Sequence, residues 1–269
     1  MFAELQPDEF PRVLPLYRAA GVRFPLISAV IQRRQRGRVF ADAGAAPGAA
    51  FVVTDFGFAC RLGGEGGKEF DAGLARLLAT AGALRPEYLL WYAPPADWQA
   101  RLDALGAPTV RRRERVRFEF REGRAGWLGA PVECPAGFEL KRLSAELVPA
   151  TEGLGVDLAS RFWASADDFA ENGLGVCLTA GGEVASLCYA AAVADGLAEV
   201  DVVTRPEYRG RCLADAVTRQ FVKECLGRGI EPTWDCFAYN AGSMRLAEKH
   251  GFAEWYRYPF YSFNVPLGA

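Results

Sequence analysis

Histidine is almost missing from this chain: His250 is the only one in 269 residues. A catalytic zinc centre built on imidazoles needs two or three such ligands, so that class is excluded and no metal is expected. The seven cysteines form no C-x-x-C pair and are odd in number. They read as reduced, mostly buried thiols, not as a disulfide framework or a zinc ribbon. A basic excess is also lacking. Lys and Arg number 31 against 33 Asp and Glu, a net charge of -2, which removes the electrostatic footprint of a nucleic-acid binder. No run approaches the ~20 apolar residues of a membrane span. The opening MFAELQPDEFPRVLPLYRAAG has acids and prolines where a secretory leader has a basic segment and an apolar block. The expectation is a cytoplasmic protein, monomer or homodimer, with neither membrane nor nucleic acid as partner.

What is present is an ordinary globular composition, 51% hydrophobic and 24% charged, over a length that suits two modest domains. Helical spacing is expected over 8–20 and 24–36, then strands at 38–42, 50–54 and 56–62. A helix over 68–82, a buried strand at 88–94, a helix over 96–106 and a long strand at 109–121 follow. The Gly- and Pro-rich stretch 122–136 lacks periodicity and marks a boundary, giving domains 1–124 and 125–269. The second part reads as strand 137–142, helices 144–152 and 164–172, and strands 174–180, 183–193 and 197–204. Helix 211–228, strand 232–237, helix 241–250 and terminal strands within 252–265 complete it. Both parts share a rough order of strands, helix, strand, helix, strand, an α/β (α+β) layer structure and the trace of a duplication.

The one dense basic run, VRRRERVR at 110–117, alternates so that Arg111, Arg113, Arg115 and Arg117 share a strand face. A solvated edge face is the simpler interpretation, and binding of an anionic ligand the rival.

The stretch EVDVVTRPEYRGRCLADAVTRQF, residues 199–221, ends an apolar strand at Pro206, passes through Arg209-Gly210-Arg211 and enters a helix near Cys212. It has no Walker Lys-Ser/Thr and no G-x-G-x-x-G. The first N–H groups of a helix have no intrahelical partners and sit at its positive end, and two arginines add charge. Such a turn suits a pyrophosphate without a metal.

Here VVTRPEYRGRCLADAV resembles the acetyl-coenzyme A loop of the GNAT superfamily of N-acyltransferases, Arg/Gln-x-x-Gly-x-Gly/Ala after an apolar strand. Arg209 takes the first place and Ala214 the last. Downstream, NAGSMRLAEKHGF at 240–252 is similar to the family's helix beside the pantetheine arm. The matching region covers roughly 174–263, and it also resembles the zwittermicin-resistance subgroup, which carries a divergent N-terminal half. The resemblance implies tandem GNAT-like halves, each a mixed, mostly antiparallel central sheet flanked by helices. It implies acetyl-CoA held by Val202, Val203, Thr204, Arg209, Gly210, Arg211, Cys212, Leu213, Ala214, Asn240 and Ser243. Cys212 stands where the family has Gly. A residue already in the right-handed helical region has no need of Gly, so Cys212 is expected to be tolerated. A low-pKa thiol carrying the acyl group is the lesser alternative.

Glu199 and Asp201, two apart in an apolar strand, share one face, and burial would raise such an acid toward the range of a general base. The competing explanation is a surface edge or an internally hydrogen-bonded acid. The resemblance favours Asp201 as base, then Glu199. Many family members have a Tyr acid where this chain has Ala247; Tyr239, Tyr256 or Tyr261 are stand-ins, although packing explains them as well. His250 is expected to cap its helix. The acceptor pocket is expected near Trp163, Tyr189 and Asp235, with Asp167, Asp168 and Glu171 either attracting a cationic amine or serving as a helix cap. The function implied is acetylation of a primary amine on a small molecule, with antibiotic resistance or natural-product modification suggested by the subgroup. Rivals are a protein amine acetyltransferase and a non-catalytic acyl-CoA-binding module.

Overall fold

Apolar runs separated by glycine and proline favour strands, and this chain has twelve along the described residues, from three residues in β1 to thirteen in β12. The computed structural model describes residues 2–42, 46–64, 67–84 and 86–267. The order opens with β1 (Phe2–Glu4), α1 (Leu14–Ala19), α2 (Pro25–Ile31), β2 (Gly37–Asp42), β3 (Ala49–Thr54) and β4 (Phe58–Gly63). It continues with α3 (Lys68–Ala79), β5 (Tyr88–Tyr92), α4 (Ala96–Leu105), β6 (Val110–Phe120), β7 (Glu139–Arg142), α5 (Ala166–Asn172), β8 (Gly175–Ala180) and β9 (Glu183–Ala194). It closes with β10 (Leu197–Thr204), α6 (Leu213–Gly227), β11 (Glu231–Phe237), α7 (Ala241–Lys249) and β12 (Phe252–Asn264). No helix among the described residues is long and apolar enough to cross a membrane.

Proline accounts for two departures from the expected helices. The pattern at 8–20 splits into a 3-10 segment, Pro7–Val13 with Pro11 inside it, and the short α1. The pattern at 144–152 becomes a 3-10 segment, Val148–Leu154. A π turn at Leu158–Phe162 has no counterpart in the periodicity.

The chain forms two compact units, Met1–Arg115 with Arg257–Ala269, and Val116–Tyr256. This differs from a division at 124/125, because β6 and β12 each belong partly to one unit and partly to the other. In the first unit β1, β2, β3 and β4 are antiparallel neighbours, β5 lies parallel to β4, and Phe260–Asn264 of β12 adds antiparallel to β5. Its core gathers Phe51, Trp91, Trp98, Phe70, Leu74 and Phe263. Burying such side chains contributes ~1.5–3 kcal/mol each.

In the second unit β7, β8, β9 and β10 run antiparallel, and β10 then pairs parallel with β11 through the α6 crossover. Two hairpin turns direct this. Gly181-Gly182 and Asp195-Gly196 all have positive φ, between 53° and 87°, which matches the twist of flanking strands. β9 is buried along nearly its whole length, which explains why VASLCYAAAVA reads as a continuous apolar run. One stripe of α6, with Leu213, Val217, Phe221 and Cys225 four apart, packs inward. β6 is next to β11 within the sheet, so the basic run is not an edge; Arg111 is exposed and Arg113 and Arg115 half-buried, as a solvated face requires, whereas Arg117 is fully buried.

Candidate active site

The strand β10 is held along its full length on one side only. It pairs with β9 from Leu197↔Ala194 to Thr204↔Ser186, but with β11 only from Leu197↔Glu231 to Val200↔Trp234. β11 continues to Phe237. The β10–β11 ladder therefore ends at Val200, ahead of Val202, Val203 and Thr204. A bulge at Ala191 of β9 shifts the register between Glu199 and Val200, a device that re-aims side chains beside active sites. Trp163 serves this bulge: its buried indole donates to the Ala190 carbonyl at 3.2 Å and packs edge-on against Phe169.

After Thr204 the chain makes a short turn at Pro206–Tyr208, and Arg209 Nε donates to the Thr204 carbonyl at 3.3 Å. Gly210 has φ +74° with open space where a Cβ would stand. Cys212, the N-cap of α6, has φ 58° and ψ 19° and gives no side-chain cap. This corrects the right-handed conformation expected for it: the position is left-handed, the geometry that favours the glycine it replaces. The first-turn N–H groups of Leu213, Ala214 and Asp215 lack a side-chain cap and lie at the positive end of α6. Arg211 is stacked over Phe138 at 4.9 Å and Tyr208 at 5.7 Å, which fixes its guanidinium beside the loop. A cleft of about 430 Å³ opens next to it, lined by residues 132–136, Cys212, Asp215, Arg219 and Lys249.

Asp201 and Glu199 share a face of β10 and have different surroundings. Asp201 is exposed. Its Oδ2 accepts from the Tyr189 hydroxyl at 2.7 Å and its Oδ1 from the Val202 N–H at 2.9 Å. Burial, reinforced by the Asp201 carboxylate, pushes the Tyr189 hydroxyl far above the ordinary phenol range, so it stays a donor. Glu199 is buried, and both its carboxylate oxygens lie 3.0 Å from Arg117 Nη1. Arg117 Nε is 3.4 Å from Asp235 Oδ2, so Asp235 belongs to this ion cluster. Sequence reasoning missed Arg117, and its only signal was its place between Val116 and Phe118 at the inner end of the basic run.

The downstream helix spends its polar groups locally. Asn240 caps α7 by accepting from the Ser243 N–H at 3.1 Å, and Ser243 Oγ accepts from Trp234 Nε1 at 2.9 Å. Ala247 is buried in that helix. Tyr239 is 70% exposed and stacked on Phe237, whereas Tyr261 belongs to the first unit, where it donates to Asp103. Asp168 takes part in the Ser165 cap of α5, bearing out the capping alternative for it. His250 ends α7 and binds Asp215 through Nε2 at 2.8 Å. Among the described residues, no group of three or more His, Cys, Asp and Glu could hold a metal ion.

Fold and loop together define a class: an α/β protein with an arginine-bearing turn at a parallel crossover whose strands part just before it. A family model described as GNAT acetyltransferase matches residues 20–261, and the chain belongs to that family. An uncharacterised N-acetyltransferase of Bacillus subtilis, YdfB, is 26% identical over 235 residues, 87% of this chain and 88% of that protein. The crystal structure of a GCN5-related N-acetyltransferase-like protein from Streptococcus suis has a TM-score of 0.73 at 23% identity, covering 96% of this chain and 99% of its own. A tandem GNAT protein from the clavulanic acid biosynthesis pathway has a TM-score of 0.69 at 14% identity, with 98% of each chain covered. The tandem GNAT-like arrangement expected from the sequence is the fold observed.

Proposed function

We propose that this acyltransferase moves an acetyl group from acetyl-coenzyme A directly to a primary amine of a small molecule, with Asp201 as general base. The observation that carries this is a parted strand pair running straight into an uncapped helix N-terminus flanked by Arg209 and Arg211. When bound, the coenzyme supplies an activated acyl thioester. The chain's residues fit it: the N–H groups of 212–215 and the Arg209 and Arg211 guanidiniums suit its diphosphate, and Gly210 leaves room. The free edge of β10 at Val202, Val203 and Thr204 suits an amide-bearing arm, which it would receive as a sheet receives an added strand. Asn240 and Ser243 would flank that arm.

An alkylammonium has a pKa near ~10, about three units above neutrality, so its deprotonation costs roughly 4 kcal/mol that a positioned base must offset. Asp201 suits that role better than Glu199. Tyr189 and the Val202 N–H orient it at an exposed position, whereas Glu199 is buried and engaged by a buried arginine. Ala247 offers no proton to the departing thiolate. A thiolate of pKa near ~8.5 leaves without one, so turnover is still expected. Trp163, Tyr189 and Asp235 would then act behind the acceptor pocket as supports. That the tandem GNAT relative belongs to a natural-product pathway supports a small-molecule amine, as an antibiotic-modifying or self-resistance role would require.

Calorimetric titration with acetyl-CoA, followed by coenzyme release over a panel of amines, tests the assignment. Replacing Asp201 by Asn is expected to lower kcat by about 10²–10⁴ with coenzyme affinity unchanged. Micromolar binding with no turnover on any amine would favour instead a non-catalytic acyl-CoA-binding module, which buried Ala247 supports.

A further inference from the structure

We infer that Arg117 is the positioning residue that sets the slot between β10 and β11. This rests on the proposal that the slot receives the arm of the coenzyme. Arg117 stands on β6, the neighbour of β11, and is fully buried. Its Nη1 lies 3.0 Å from both carboxylate oxygens of Glu199 on β10 and 3.5 Å from Thr233 Oγ1 on β11. Its Nε lies 3.4 Å from Asp235 Oδ2, also on β11.

The register gives these contacts their meaning. Glu199 and Thr233 are partners within the β10–β11 ladder, which ends one rung later at Val200↔Trp234. Asp235 is the first residue of β11 beyond that rung. One guanidinium therefore grips β10 before the fork and β11 on both sides of it. Past Trp234 no backbone ladder spaces the two strands. Buried carboxylates are costly unless a cation compensates them, so Glu199 and Asp235 must both stay within reach of Arg117. Their separation is then fixed by the span of a rigid planar fork, which a lysine's point charge does not reproduce. The Thr233 hydroxyl, donating to the Ala198 carbonyl at 3.1 Å, ties the same rung a second time. Arg117 holds the opening in register with Asp201, two residues along β10 from Glu199, and contacts no reacting atom.

The test uses the full chain with two probes: acetyl-CoA, and adenosine 3′-phosphate 5′-diphosphate, which is the coenzyme without its pantetheine arm. Arg117→Lys is expected to weaken acetyl-CoA binding about five- to tenfold and Arg117→Met more than about tenfold, with the nucleotide's Kd moved less than about twofold. Circular dichroism monitors folding, and Arg117→Lys carries the test if Arg117→Met does not fold. Equal weakening of both probes would reduce Arg117 to a structural residue and overturn the inference, as would acetyl-CoA affinity unchanged in Arg117→Lys. A wild-type chain that binds neither probe overturns the coenzyme assignment itself, and this inference with it.

Discussion

In the first unit β4 runs parallel to β5 with α3 as crossover; in the second, β10 runs parallel to β11 with α6 between them. The turn that enters each helix is filled differently. In the first unit buried Arg61 folds back on the end of its own strand and donates to the carbonyls of Gly63 at 2.6 Å and Gly64 at 2.8 Å. The first turn of α3 holds Glu69 and Asp71, and Asp71 accepts from Trp98 Nε1 at 3.0 Å and meets Arg61 at 3.4 Å. The positive end of that helix already has its anions from within the chain. In the second unit Arg209 and Arg211 are exposed, and the only acid in the first turn, Asp215, is drawn away by Lys249 and His250 at 2.8 Å each. The two crossovers thus differ in the charges around the helix entrance: in the first unit Arg61 and Asp71 are paired with each other, whereas Arg209 and Arg211 are exposed. The anion binding proposed for the second unit rests on its loop residues, not on the topology.

The sharpest way to break that contrast is to give the second turn the charge of the first. Arg209→Glu replaces an attractive guanidinium by a repulsive carboxylate, a change of ~3 kcal/mol or about 100-fold in acetyl-CoA affinity. Calorimetry with wild type alongside reads it, and an affinity within threefold of wild type would remove Arg209 from the site. The converse change in the first unit is expected to act on stability alone. Asp71→Ala strips both Trp98 and buried Arg61 of a partner and should cost about 1–3 kcal/mol in denaturant unfolding, with acetyl-CoA affinity unchanged. A loss of affinity there would mean that the first turn also serves the ligand.

Cys212 sharpens the comparison at smaller scale. A non-glycine residue in the left-handed region carries ~1 kcal/mol or more of strain. Cys212→Gly should relieve it, raising Tm by about 2–4 °C, less whatever Gly costs in chain entropy, without weakening acetyl-CoA binding. A lower Tm combined with loss of turnover would revive the thiol as an acyl carrier.

Much of this was legible in the sequence, and the illegible part has a common cause. Strand and helix periodicity are local signals, and the strand expected at 197–204 and the helix expected at 211–228 form within two residues of expectation. Arg209-Gly210-Arg211 announced the loop because charge and backbone freedom are properties of those residues themselves. Arg117 escaped because its partner Glu199 is 82 residues away and its burial depends on which strand lies beside β6. The place of the chain's last strand in the first unit was hidden for the same reason: nothing in YPFYSFN says that it will pair with β5. Asn240 and Ser243 show the opposite limit, since the pattern that names them as ligand contacts is also that of an ordinary helix cap.

The smallest expected effect comes from the chain's one histidine, which the first unit lacks altogether. Burial holds His250 below the usual imidazole value, with Asp215 only partly offsetting it and Lys249 and Arg219 adding to the depression. Burial also raises Asp215, but hydrogen bonds from Lys249 and His250 outweigh it and leave its carboxyl below the ordinary range. For a depressed histidine the unfolded chain takes up the proton first. Its stabilisation is full above the unfolded value of 6.5 and is lost as pH falls through the lower folded value. Depressed Asp215 adds a loss of the same sign at more acidic pH, as the folded carboxylate is protonated. Stability should therefore fall between neutrality and mildly acidic pH. His250→Gln keeps a donor for Asp215 without a titrating ring, and it should flatten that fall while leaving the steeper acid limb. Melting temperatures for both proteins at half-unit pH steps measure it, and parallel curves would assign the acid sensitivity to carboxylates in either unit instead.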